Sequence, residues 1–171
     1  MLKKFNKLIL LIILFCFLAF SIFLYQCCLW QFFVKDGQLV QLVLKDKYFS
    51  TQGKELLVEI VKNESSTQRG LSNRAQLQTV DGQQLDGMLF IFPEARIRQF
   101  WMKDMQFDID ICWLKDHYLL DCARRAAKPD LDSQEDLAIY QSSQRVDLVL
   151  ETMPDFLTED FIGSRFYLKF F

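Results

Sequence analysis

A mainly β domain, a small antiparallel sandwich or barrel with one or two short helices behind an N-terminal transmembrane helix, is what three observations in the sequence predict. Residues Leu8 to Tyr25 run eighteen positions without a charge. At about 1.5 Å per helical residue, that run and its apolar flank to Trp30 can cross a hydrocarbon core of roughly 30 Å. Beyond residue 38, short apolar runs of strand length alternate with polar turns, about seven in all. The remaining chain, about 130 residues, suffices for one core and is too short for two.

Charge orients the apolar segment. Lys3, Lys4 and Lys7 precede it and no acid occurs before Asp36, so the N-terminus is expected in the cytoplasm and everything after about Gln31 outside. Residues 1–30 then form a membrane anchor, 31–38 a linker and 39–171 an extracytoplasmic β-domain. A cleaved signal is the competing reading; its single small-x-small site, Ala19-Phe20-Ser21, lies inside an apolar run that continues to Tyr25. Bulky Phe23-Leu24-Tyr25-Gln26 before Cys27 disfavours a lipoprotein.

Without its first thirty residues the chain loses three of its 20 basic residues and none of its 22 acids, leaving 17 against 22 and a net charge of about -5. Such a domain has no electrostatic reason to hold nucleic acid. Cys112 and Cys122 lie ten apart around Lys115-Asp116-His117. A hairpin centred on His117 makes them face each other, so a disulfide and two buried thiols are both open readings. Two cysteines and one histidine make no zinc site, and no cofactor motif is present.

Leu39 to Leu44 and Lys54 to Lys62 read as the first strands, the latter with Leu56, Val58 and Ile60 on one face. Asn63-Glu64-Ser65-Ser66 starts and Gly70 stops a helix of one to two turns. Gly87 to Phe92, closed by Pro93, suits a strand buried on both faces. Phe100 to Met102, Ile109 to Leu114, Tyr118 to Ala126, Val146 to Glu151 and Arg165 to Phe171 complete the set. Pro129 to Ser143 is turn-rich, with one helical turn expected over Glu135 to Tyr140.

Arg69-Gly70-Leu71 with Arg74, Gly87-Met88-Leu89-Phe90-Ile91-Phe92, Phe100-Trp101-Met102-Lys103 and Ile109-Asp110-Ile111 occur in this order. Together with Val149-Leu150-Glu151, they resemble the bacterial and archaeal family called domain of unknown function 192, over about residues 56 to 171. The resemblance implies a small β-rich domain behind a signal or anchor and brings no established reaction. Asp104 and Met105 stand where the family has Asn-Thr, Asp108 replaces a Pro, Ser72 replaces a Met, and Met153-Pro154-Asp155 falls where a Gly is expected. Chemistry that used the Asn amide would be altered here.

Five residues are the candidate ligand set. Arg69 and Arg74 flank a helix stop and suit a planar carboxylate or phosphate; the competing reading pairs each with an internal acid such as Asp110 or Glu151. Trp101 and Lys103, two apart on a strand, would share one side and offer a ring and a cation, against a core tryptophan beside a solvated lysine. Asp110 is the member of the Asp104, Asp108, Asp110 cluster that coincides with the family pattern. His117 reads as an ordinary turn residue.

These readings favour an uncharacterised, membrane-anchored extracytoplasmic domain that binds a small polar or anionic ligand or an envelope partner without catalysis. One alternative is a hydrolase of an envelope glycan with Asp110 and Asp104 as acid and base. The other is a scaffold whose shared motifs serve folding alone. Binding requires one concave pocket shared by the arginines and Trp101; hydrolysis requires two carboxyls at its floor.

Overall fold

The computed structural model describes residues 2–24, 33–45, 53–79, 81–130 and 138–169, with side chains in the first segment described for Lys7 and residues 9–21. The chain divides into two units, Met1–Val34 and Lys35–Phe171.

In the first unit, α1 spans Leu2–Leu24 without a break. Its one hydroxyl among the described side chains is satisfied internally, Ser21 Oγ donating to the Phe17 carbonyl at 2.9 Å. Large apolar side chains from Ile9 to Phe20 are exposed around it. Among the described residues no helix is long and apolar enough to cross a membrane.

The second unit is a seven-stranded closed barrel with a small two-stranded sheet against its wall. In chain order the strands are β1 (Leu39–Lys45), β2 (Lys54–Val61), β3 (Gly87–Arg96), β4 (Gln99–Trp101), β5 (Ile109–Lys115), β6 (Tyr118–Ala126), β7 (Ile139–Gln141), β8 (Val146–Thr152) and β9 (Arg165–Lys169). A short helix, α2 (Glu64–Arg69), follows β2. Around the barrel the order is β1, β2, β3, β8, β5, β6, β9, and β4 pairs with β7 outside it.

Side chains alternate across a strand, so each barrel strand feeds two layers. One inward ring runs in register through Ile60, Leu89, Leu150, Cys112 and Cys122. The two cysteines form a disulfide across β5 and β6, their Cα atoms 4.0 Å apart. The hairpin that aligns them turns at Asp116 and His117, both at positive φ, 51° and 70°, as a two-residue primed turn requires. The outward layer is apolar on β3, β5 and β8: Met88, Phe90, Ile111, Trp113 and Val149 are buried under the β2–β3 crossover and the β4–β7 sheet.

Three expectations change. The barrel is not wholly antiparallel, because β2 and β3 run parallel; a parallel pair needs a crossover, and residues 62–86 with α2 supply it. The helical turn expected over Glu135 to Tyr140 falls partly outside the described residues, and Ile139–Gln141 is strand, its backbone being claimed by β4. Met102 is not in a strand: pairing stops at Trp101 and the chain turns.

Candidate functional site

Where the crossover passes over the outer face of β3 and β8 it leaves a pocket of about 290 Å³. Its walls come from α2 and the Gly70-Leu71-Ser72 turn, from Phe90 and Phe92 of β3, from Ile97 and Arg98, and from Phe100 and Trp101 of β4. Local interactions hold each wall. Asp36 Oδ1 accepts from the Lys62 and Asn63 N–H groups at 2.7 and 3.0 Å and from Ser66 Oγ at 2.6 Å, fixing the start of α2. At the other end Gly70 N donates to the Ser66 carbonyl at 2.8 Å. Gly70 sits at φ +50°, and a Cβ there would come within 3.2 Å of Phe90 and 4.0 Å of Glu151 Oε2. Glycine is needed both for the turn and to keep the pocket open.

The two sides of the mouth are bonded to each other. Ser72 Oγ donates to the Lys103 carbonyl at 2.9 Å, and Asn73 N donates to the Asp104 carbonyl at 2.8 Å. Phe100 joins the small sheet to the barrel wall through edge contacts with Phe90 and Trp113, at centroid distances of 5.1 and 5.7 Å.

Glu151 forms the floor. It belongs to the outward layer of β8, between Met88 of β3 and Ile111 of β5 in register, and is 6 % exposed. Its Oε2 is buried without a hydrogen-bond partner. Burial disfavours the carboxylate and pushes its pKa up to about 8, an effect that the positive charge of Arg74 only partly offsets. A neutral carboxylic acid, able to donate a proton or a hydrogen bond, therefore faces the pocket at neutral pH.

Cations occupy the aromatic rim. The Arg98 guanidinium stacks 3.8 Å from the Phe92 ring centroid and donates through Nη2 to the Glu94 carbonyl at 2.6 Å. Burial, then the neighbouring charge of Arg96, holds its pKa below the usual arginine value. Arg69 lines the same mouth. Trp101 is 54 % exposed, with Lys103 Nζ 5.7 Å from its ring.

Of the five candidate ligand residues, the structure brings Arg69 and Trp101 together in this pocket, with Lys103 beside Trp101 in a turn instead of on a strand. Two are elsewhere. Arg74 makes a two-point pair with Glu59, at 2.7 and 3.0 Å, and donates to the Gln78 carbonyl at 2.8 Å. Its partner is thus neither Asp110 nor Glu151, and its donors are turned away from the pocket. Asp110 faces inward at the barrel end, fully buried. Its Oδ2 accepts from Arg124 Nη1 at 2.9 Å and from Asp155 N at 3.0 Å, and its Oδ1 accepts from Arg125 N at 2.8 Å. That carboxylate ties β5, β6 and the segment after β8 into a knot.

Asp104 lies exposed in a left-handed turn at φ 59°, and Asp108 accepts from Lys128 N at 2.9 Å outside the strand. None of Asp104, Asp108 and Asp110 lines the pocket, so Asp110 and Asp104, the proposed acid and base, do not share its floor; Glu151 is the carboxyl among its lining residues. Among the described residues no group of three metal-binding side chains occurs. Sequence reasoning missed Glu151, Arg98, Phe92 and Phe100 as site residues. A charged residue on the otherwise apolar face of Val149 was the available signal for Glu151.

The profile of the domain of unknown function 192 family, described as an uncharacterized ACR, matches residues 47–164. Among curated proteins none matches. A crystal structure from Sinorhizobium meliloti 1021, described as a candidate transcription regulator, is similar at a TM-score of 0.61 and 24% identity, over 78% of this chain and 95% of that one. A protein of unknown function from Novosphingobium aromaticivorans DSM 12444 is similar at a TM-score of 0.59 and 17% identity, over 78% and 86%. At these identities the likeness shows the fold alone.

Proposed function

The chain belongs to the domain of unknown function 192 family, and from that premise we propose that its barrel binds a small polar ligand carrying an anionic group, without catalysis, while α1 anchors it in a membrane. One observation carries the binding reading. Glu151 is a buried ionisable group with an unpartnered oxygen, set at the floor of a pocket whose mouth holds Arg69 and Arg98 and whose wall presents Trp101. Burying such a group without a partner costs free energy that folding alone has no use for. Perturbed groups in pockets with convergent polar side chains are characteristic of binding sites. The arginines suit a carboxylate or phosphate, and Trp101 suits the apolar face of a ring or chain.

The test is thermal melting of the full chain in detergent with a panel of small carboxylates, phosphates and sugar acids. Stabilisation that Arg69→Ala abolishes supports the reading; melting unchanged by every member overturns it.

The scaffold reading has its own support, since Arg74 and Asp110 are held in internal ion pairs. It applies to those two residues and leaves Glu151 unexplained.

The anchor rests on the uncharged run from Leu8 to Tyr25 and on exposed apolar side chains around α1. An extracytoplasmic barrel accords with the lysines before α1 and with the Cys112–Cys122 bond, since disulfides persist in oxidising compartments. Alkaline carbonate extraction tests the anchor: release of the intact chain into the soluble fraction overturns it.

A further inference from the structure

We propose that the pocket takes a zwitterion, its ammonium end entering the aromatic floor to pair with Glu151 and its carboxylate or phosphate end staying at the mouth on Arg69 and Arg98. The inference rests on the ligand-binding reading above and narrows it to a chemical class.

Three observations point to an amine at the floor. A ligand hydroxyl gives Glu151 one hydrogen bond, whereas an ammonium brings three donors and a charge to a carboxyl whose Oε2 has no protein partner. Phe90, Phe92, Phe100 and Trp101 line the same space, and aromatic faces attract cations. The protein already uses two of these rings that way, with Arg98 over Phe92 and Lys103 beside Trp101.

The surrounding charges require the second, anionic end. Arg69 from α2 and Arg98 from the segment before β4 line the pocket with Glu151, and Arg74, outside the lining, acts on Glu151 through its charge; the ladder neighbours Met88 and Ile111 carry no charge. Arg74 is paired with Glu59. Arg69 has Asp36 within electrostatic reach and Arg98 has Glu94 and Asp147, but neither is held in a salt bridge among the described residues, and the two at the mouth disfavour a ligand that is cationic only. One that was anionic only would leave Glu151 and the rings unanswered. A volume of about 290 Å³ suits a few-carbon zwitterion. On binding, the Glu151 carboxyl O–H bond breaks, its proton passes to solvent, and the carboxylate pairs with the ammonium.

Calorimetry on the full chain in detergent tests this with O-phosphoethanolamine and 4-aminobutyrate against their deaminated counterparts, ethyl phosphate and butyrate. Measurements at pH 7 in two buffers of different ionisation enthalpy count protons. The amines are expected to bind at least about tenfold more tightly, with release of close to one proton per ligand that fades by pH 9. Glu151→Gln is expected to remove both the preference and the proton release, and Arg69→Ala to weaken amine and counterpart alike. Deaminated compounds binding as tightly, with no proton released, overturn the zwitterion and leave the anion-binding reading standing. Failure of all the compounds to bind at tens of millimolar overturns both. Dihexanoylphosphatidylethanolamine in the same assay separates the sources: tighter binding than O-phosphoethanolamine supports a lipid headgroup, weaker binding a free zwitterion.

Discussion

Glu151 and Met88 are direct partners across the β3–β8 ladder, so a carboxyl group stands where the surrounding layer would place another apolar side chain. The backbones meet closely there as well: a Cβ on Gly87 would lie 2.7 Å from the Glu151 carbonyl oxygen. The floor of the pocket is thus an ionisable group locked in a rigid sheet.

Its first consequence is a pH dependence of stability. Below the ordinary value of 4.5 Glu151 is protonated in both folded and unfolded chains, and above about 8 it is ionised in both. Between those limits the folded state keeps a proton that the unfolded state gives up. Stability from this group therefore falls with rising pH by about 1.4 kcal/mol per unit and levels off above the upper limit. Urea unfolding from pH 5 to 9 is expected to show this loss in the wild type and a profile flatter by one proton in Glu151→Gln. Identical slopes in the two proteins would contradict the assignment.

Asp110 and Arg124 form a pair in which the carboxylate is fully buried. Asp110→Ala removes the acceptor of two backbone N–H groups and the buried partner of the Arg124 guanidinium, which keeps the Leu157 carbonyl and Glu159. A loss of about 3 to 5 kcal/mol in unfolding free energy is expected, as for other broken buried pairs. A loss below about 1 kcal/mol would show that water replaces the carboxylate.

The two arginines flanking the helix stop are expected to separate by phenotype. Arg74→Ala removes the two-point pair with Glu59, whose side chains are 19% and 16% exposed, and should cost about 1 to 3 kcal/mol of stability. Arg69→Ala should change stability by less than about 0.5 kcal/mol and act on ligand affinity instead. Melting and binding measured on both variants check the division; the reverse pattern would exchange their roles.

The Cys112–Cys122 bond closes a short loop, the residues being ten apart. Replacing both by alanine is expected to cost about 2 to 3 kcal/mol, the chain-entropy value for such a loop. Melting in the presence and absence of reductant gives the check: the wild type should lose stability on reduction and the double variant should not respond.

Most of the barrel was legible along the chain because a half-buried strand writes its own pattern. Leu56, Val58 and Ile60 announce one face of β2, and a turn at Asp116-His117 sets the bounds of the Tyr118–Ala126 strand. Gly70 marked the end of α2 for a local reason, its left-handed backbone. Partners of charged groups were not legible. Arg74 meets Glu59, fifteen residues away on β2, and Asp110 meets Arg124 across a hairpin; nothing in local spacing distinguishes these acids from others nearby.

Periodicity, turn chemistry and charge order are short-range properties, so the amino-acid sequence by itself determined the barrel strands, the short helix, the hairpin that aligns Cys112 with Cys122, and the family to which they belong. The tertiary structure decided which carboxyl faces the pocket. Whether Glu151 is solvated, paired or stranded depends on Gly70 passing over it from the crossover and on Met88 and Ile111 flanking it from two other strands. Burial is a property of that assembly, because desolvation is set by everything that surrounds a charge and not by its neighbours along the chain.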